Sequence, residues 1–120
     1  MLPSALSVLD GLGFRYVSHM AWVKWRRGGL QIGLGQYLRS SHELCLLGVR
    51  GKTTYPAIRN VPSVVLAPRG RHSAKPQAAF DAIERVSPGP RLEMFAREPR
   101  EDWDGWGDEA MNPSDDYLVR

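Results

Sequence analysis

The stretch Val64–Arg97, VVLAPRGRHSAKPQAAFDAIERVSPGPRLEMFAR, decides the fold. Val64-Val65-Leu66 is a short apolar, β-branched run that stops at Pro68, which reads as a strand. Ser73 stands where a helix cap is wanted, and Pro76 suits a first helical turn, where its missing N–H costs nothing. Ala79, Phe80, Ile83 and Val86 recur at three and four residues and so share one face of a helix, which Gly89 follows. Arg91–Arg97, with Leu92, Met94 and Phe95 apolar, reads as the next strand. Strand, amphipathic helix and strand make a crossover unit, the connection that parallel neighbours require. The expectation is therefore an α/β fold with an open, mainly parallel sheet. Its ligands would lie beyond the carboxyl ends of the strands.

Upstream, Ala5, Leu6, Val8, Leu9 and Leu12 follow helical spacing, and Gly11 and Gly13 mark the end of a short helix over Ser4–Leu12. Phe14–Trp25 is aromatic and β-branched and reads as a strand running into a loop. Arg26–Gly35 holds four glycines and two arginines and reads as a mobile basic loop. His42–Val49 is a continuous apolar strand of the kind covered on both faces. Lys52–Pro62 is connection. Residues 1–109 form the expected domain. Residues 110–120 lack periodicity and read as an acidic, disordered tail.

Residues 1–97 carry 14 of the 16 Lys and Arg but 5 of the 13 Asp and Glu, so the body is basic and the end of the chain acidic. Thirteen of those bases are Arg, whose planar fork matches phosphate. The two readings are a nucleic-acid partner, to which the Arg fork points, and a solvated surface whose arginines reflect codon usage. No apolar run is long enough for a membrane span, and the N-terminus lacks the pattern of a signal peptide, so the expected location is the cytoplasm, with no membrane partner. Cys45 is the lone cysteine, inside Leu44-Cys45-Leu46-Leu47, which excludes an internal disulfide and suggests a small buried hydrophobe.

Gly33-Leu34-Gly35 fails as a dinucleotide fingerprint, because the third glycine position is Leu38 and no helix opens there. His19, His42 and His72 share no metal-ligand spacing, and no metal is expected. No serine or cysteine has a nucleophile signature. Arg69–Pro76 sets three bases and a histidine ahead of a helix N-terminus, which reads either as an anion site, where N–H groups and the dipole favour a carboxylate or phosphate, or as a solvated basic loop. Glu93 lies within an apolar strand and needs an Arg or a ligand hydroxyl as partner. Trp103–Glu109 gathers aromatic, glycine and acid residues, as a base-stacking loop or as a cap over the core. Arg26, Arg27, Arg39 and Arg71, in or beside glycine-rich loops, are the candidate phosphate contacts.

Taken in order, several blocks resemble the N-6-adenine methyltransferase family named for the seventy-kilodalton catalytic subunit of the messenger-RNA adenosine-methylating complex. The resemblance is to its bacterial and phage members above all. The blocks are Gly13-Phe14-Arg15-Tyr16 with Trp22-Val23-Lys24, Gly33–Arg39 with His42-Glu43-Leu44, and Leu47–Gly51. They continue with Ala67–Pro76, Ile83-Glu84-Arg85, Pro88–Arg97 and Trp103–Glu109. The resemblance implies a Rossmann-like fold dependent on S-adenosylmethionine, with permuted motif order. It implies that Lys75 meets the methionine carboxylate and that Glu93, Phe95 and Arg97 belong to the cofactor strand, Arg97 on the ribose side. Asp108 and Glu109 would lie by the cofactor's adenine. Asp108 stands where Asn is common and, ionised, can only accept hydrogen bonds.

Family members also carry Asp-Pro-Pro-Trp, which holds the adenine amine in line with the cofactor methyl. This sequence contains no such tetrapeptide, and no catalytic residue is assigned. The expectation is a partial domain without its N-terminal strand and catalytic loop. It would have little or no activity alone, a DNA substrate ahead of RNA, and an exposed sheet edge prone to association. The rival readings are a non-catalytic module that binds cofactor or nucleic acid, and a basic nucleic-acid-binding domain without cofactor.

Overall fold

A twelve-residue strand, β1 (Arg15–Arg26), organises the first half of the chain. Its Tyr16, Val17, Trp22, Val23 and Trp25 suit a pleated surface, where branched and aromatic side chains pack well. The computed structural model describes residues 1–52, 55–56, 58–71 and 74–107, and these divide after Val86 into two units.

The first unit runs α1 (Leu2–Gly11), β1, β2 (Gly29–Leu30), β3 (His42–Val49), β4 (Val64–Ala67) and α2 (Gln77–Val86). β1 pairs antiparallel with β3, from Arg15↔Val49 to Val23↔His42, and parallel with β4, from Ala21↔Val64 to Lys24↔Ala67. β2 returns along β1 through Trp25↔Leu30 and Arg26↔Gly29. This sheet is mixed and mainly antiparallel, which corrects the expectation of a mainly parallel one. The cause lies between β1 and β3. Arg27 and Gly28, at φ 52° and 77°, form a two-residue turn that reverses the chain, and the link that follows holds no crossover helix. The long connection from β1 to β4 leaves room for the parallel register. Arg26–Gly35, read as a mobile loop, thus opens as a tight hairpin.

One sheet face carries Met20, Trp22 and Lys24 from β1, Glu43 and Cys45 from β3, and Val65 and Ala67 from β4, as the registers and strand alternation require. Trp22, Val65 and Ala67 form the buried cluster, with Met20 and Ala82 of α2 packed on it. Trp22 is 3% exposed, and its indole Nε1–H donates to the Ala67 carbonyl at 2.9 Å. α2 buries Ala79 and Phe80, the first half of the face expected from its spacing. It begins at Gln77, with the Pro76 carbonyl accepting the Ala79 N–H at 3.0 Å. Ser73, the expected cap, lies outside the described residues.

On the opposite face α1 packs over the end of β3. Its C-terminus closes with Gly13 N–H to Asp10 O at 2.9 Å and Phe14 N–H to Leu9 O at 3.1 Å, with Gly13 at φ 85°. This is the paired capping pattern that brings Leu9 against Phe14. Both side chains crowd Gly48, where an added Cβ would sit 2.8 Å from Leu9 Cδ1 and 2.9 Å from Phe14 Cβ. A register shift between Tyr16 and Ser18 turns Tyr16 and His19 to one side, and the Tyr16 hydroxyl bonds His19 Nδ1. β3 was expected to be covered on both faces, yet Leu44 and Leu47 are exposed, because α2 covers the first face chiefly around Trp22 and α1 meets the opposite face at the Gly48 end.

The second unit is built on β5 (Leu92–Met94) and β6 (Asp104–Trp106), paired in parallel from Leu92↔Asp104 to Met94↔Trp106. The strand expected through Arg97 stops at Met94 because Phe95 adopts φ 59°, outside extended space. The chain bends there, and Ala96 N–H donates to Trp106 O at 2.8 Å. Ala96 and Trp103 are buried. Gly107 lies against this bend, and a Cβ there would fall 2.8 Å from Ala96 N and 2.9 Å from its carbonyl oxygen.

Candidate functional site

Trp22 and Lys24 stand two residues apart on β1 and so project from the same face, and Glu43 is the direct cross-strand partner of Trp22. Lys75 arrives from the segment between β4 and α2. Its Nζ lies 3.0 Å from Glu43 Oε1, while Lys24 Nζ lies 3.0 Å from Glu43 Oε2. Both ammoniums stand over the Trp22 ring, Lys24 at 5.3 Å and Lys75 at 6.0 Å from its centroid. Lys24 is 14% exposed and Lys75 51%. The inner lysine is thus committed to Glu43, and the outer one faces solvent with donors to spare. Two ammoniums against one carboxylate leave the cluster one positive charge in excess. It lies at the carboxyl ends of the parallel pair β1 and β4.

Partial burial pushes the Glu43 carboxyl upward, but its bonds to Lys24 and Lys75, and the charges of both, outweigh this and hold it below the usual carboxylate range. Glu43 is therefore ionised at neutral pH. Cys45, one pleat further along β3, is exposed as a residue, not the buried hydrophobe expected. Its thiol is nonetheless shifted upward, because burial disfavours the thiolate by more than the nearby Lys75 charge favours it. Cys45 lines an apolar pocket of about 280 Å³ with Met20, Leu46, Ala82 and Ile83.

The loops around this end are tied to one another. Gln31 N–H donates to the Lys24 carbonyl at 2.7 Å, its Oε1 accepts the Arg69 N–H at 2.6 Å, and Gly33 N–H donates to Ser40 O at 2.6 Å. Arg26 and Arg27 in the hairpin, Arg39 before Ser40 and Arg71 after Arg69 are all exposed on these linked segments. The structure thus carries the four candidate phosphate contacts on one connected group of loops.

In the second unit Glu93 is half-buried, with Arg100 Nε 3.3 Å from its Oε2, so the partner that an acid in this strand demands is supplied by Arg100. Glu98 lies 3.6 Å from the same guanidinium. Phe95 is 72% exposed and meets Trp106 edge-on, with ring centroids 5.1 Å apart. Arg97 is exposed. Asp108, Glu109, His72 and residues 110–120 lie outside the described residues.

Sequence reasoning named Lys75 but missed Trp22, Lys24 and Glu43 as site residues. A trace was present: Trp22 and Lys24 alternate onto one strand face. Glu43 joins them only through the β1–β3 register, which no local pattern specifies.

The MT-A70 family model matches residues 3–109. The type II methyltransferase M.MunI of Mycoplasma sp is 39% identical over 75 residues, which cover 61% of this chain and 32% of that protein. A putative N(6)-adenosine-methyltransferase MT-A70-like protein of Medicago truncatula is 35% identical over 95 residues, 74% of this chain and 15% of its own length. The N(6)-adenosine-methyltransferase MT-A70-like protein of Arabidopsis thaliana is 34% identical over 95 residues, again 74% of this chain and 13% of its own. The chain spans a third or less of the length of these curated relatives. The charged cluster over Trp22, the β5 and β6 segment and the arginine-bearing loops all fall within the matched span, and the chain belongs to the MT-A70 family.

Proposed function

We propose that this chain forms the cofactor-binding part of an S-adenosylmethionine-dependent methyltransferase acting on the N-6 amine of adenine in nucleic acid, with DNA the first substrate to test. The observation that carries the reading is Lys75, half-exposed and held by Glu43 beside Lys24 at the carboxyl ends of β1 and β4. The excess positive charge there fits the cofactor's methionine carboxylate. When bound, S-adenosylmethionine supplies a sulfonium methyl group for transfer to an amine.

Lys75 orients the amino-acid end, and Trp22 beneath it excludes water from one side of the two ammoniums. The second unit, taken by itself, offers the exposed Phe95 with Trp106 as aromatic surface, and the family resemblance is our ground for proposing Glu93, Phe95, Arg97, Asp108 and Glu109 as cofactor contacts. Phosphate contact falls to Arg26, Arg27, Arg39 and Arg71. The mixed sheet of the first unit does not itself argue for a Rossmann-like fold. Family membership supports that assignment, and the parallel β1–β4 pair is compatible with it. Because the sequence holds no Asp-Pro-Pro-Trp, binding without turnover is the behaviour we assign to this chain alone.

The test is calorimetric titration of the chain with S-adenosylmethionine beside Lys75→Ala. Micromolar binding that the variant weakens about tenfold or more, the usual scale of a charge-assisted contact, would support the reading. Equal binding by both proteins would overturn it.

A further inference from the structure

The pair at the mouth of the cluster presents both signs of charge side by side, Lys75 Nζ and Glu43 Oε1 at 3.0 Å. The cluster's excess charge attracts an anion, but a ligand bearing only an anion would gain from Lys75 and leave the neighbouring Glu43 oxygen unmatched, so a bare carboxylate uses half of the pair. An α-amino acid end carries a carboxylate and an ammonium one carbon apart. Laid antiparallel to the Lys75–Glu43 pair, it places each charge against its opposite. We propose that Glu43 receives the α-ammonium of the same ligand whose carboxylate meets Lys75, so that the pair selects a zwitterionic amino-acid end over a simple carboxylate.

This rests on the cofactor-site reading above and adds a specificity residue to it. Three features of the cluster support it. Lys24, 14% exposed, holds Glu43 Oε2, so Glu43 stays charged and fixed when Lys75 turns its donors to a ligand. Each carboxylate oxygen accepts two hydrogen bonds, so Oε1 can serve Lys75 and a ligand ammonium together. Glu43 also stands opposite Trp22 on the rigid β1–β3 ladder, which fixes where its carboxylate is presented.

Calorimetry of the 120-residue chain decides the point with three ligands: S-adenosylhomocysteine, its analogue without the α-amine, and its analogue without the carboxylate. The unaltered protein should bind S-adenosylhomocysteine about tenfold or more tighter than either analogue, the scale of one charged hydrogen bond. Glu43→Gln should lose the advantage of the amine and keep that of the carboxylate. Lys75→Ala should show the reverse.

If Glu43→Gln weakens the intact and des-amino ligands equally, Glu43 serves only to tether Lys75, and the proposal fails. It fails equally if Glu43→Gln tightens the intact ligand, since Glu43 would then merely compete for Lys75. A full carboxylate advantage retained by Lys75→Ala, or no binding of any ligand by folded protein, would instead remove the underlying cofactor-site reading. The comparison of ligands on the unaltered protein needs no variant, and urea midpoints establish that the two variants are folded.

Discussion

Replacing Trp22 with Phe isolates what the centre of the first unit contributes. Trp22 is 3% exposed and its Nε1–H is bonded to the Ala67 carbonyl at 2.9 Å, so Phe removes a buried donor and leaves part of the ring's space unfilled. Loss of the donor costs about 1–3 kcal/mol where the acceptor stays buried. A void of about 40 Å³ adds about 1 kcal/mol at about 24 cal/mol per Å³. The sum is a loss of about 2–4 kcal/mol. With a urea m-value of about 1.5 kcal/mol per M, the midpoint should fall by about 1.3–2.7 M. The assay is urea unfolding of ¹⁵N-labelled protein read from the amide signals of β1 and β4, which report this unit alone. Trp25→Phe serves as the comparison, because Trp25 is 37% exposed and should shift stability by less than about 0.5 kcal/mol. A midpoint for Trp22→Phe within about 0.5 M of the unaltered protein, at unchanged slope, would refute the placement of Trp22 as the pin between β1 and β4.

Other sites make separate demands. Arg27 sits at φ 52° in a turn that favours Gly or Asn, so Arg27→Gly should stabilise the chain by about 0.5–1 kcal/mol. The same change should lower the salt slope of nucleic-acid binding by about one, and an unchanged slope would remove Arg27 as a phosphate contact. Gly107→Ala forces a Cβ to 2.8 Å from Ala96 N and should destabilise the β5–β6 unit by about 1–3 kcal/mol, read from its amide signals in urea; no change there would contradict the close approach. Glu43 has a depressed folded-state pKa, so its contribution to stability is present at neutral pH and is lost as acid carries the protein through that lowered value. Urea midpoints taken from pH 6 down to about pH 3 should therefore fall more steeply than in Glu43→Gln, and parallel curves would count against the ion-paired carboxylate.

What the sequence made legible were the features set by local chemistry. The strand over His42–Val49, the helix after Pro76 and the stop of the first helix at Gly13 follow from a continuous apolar run, helical spacing and a terminal glycine, each confined to a few residues. Strand direction was misjudged because an apolar run such as Leu44–Leu47 looks alike in parallel and antiparallel sheets. The turn that decides the matter puts Arg27 where Asn or Gly would have announced a hairpin. β6 was hidden because Asp104 and Gly105 disfavour strands and three residues carry no alternation, so that only the pairing with β5 reveals it. Lys75 came from its block. Glu43 and Lys24 became site residues only when the β1–β3 and β1–β4 registers set them around Trp22.

Among the described residues β2, β3 and β4 all pair with β1, and this predicts an order of assembly for the first unit. The β1–β2 turn closes over two residues and β3 follows along the same strand, whereas β4 must return across more than forty residues to reach Trp22 and Lys24. Short-range pairings lose less chain entropy on closing, so the pairing of β1 with β3 is expected to precede the docking of β4. Trp22 and Glu43 are then in place before Lys75 is brought to them. Slow hydrogen exchange should accordingly be strongest along β1 and β3, with the β4 amides opening in smaller, independent excursions. A ligand held between Lys75 and Glu43 would close those excursions selectively, so that the last step of folding and the first step of binding act on the same segment of chain.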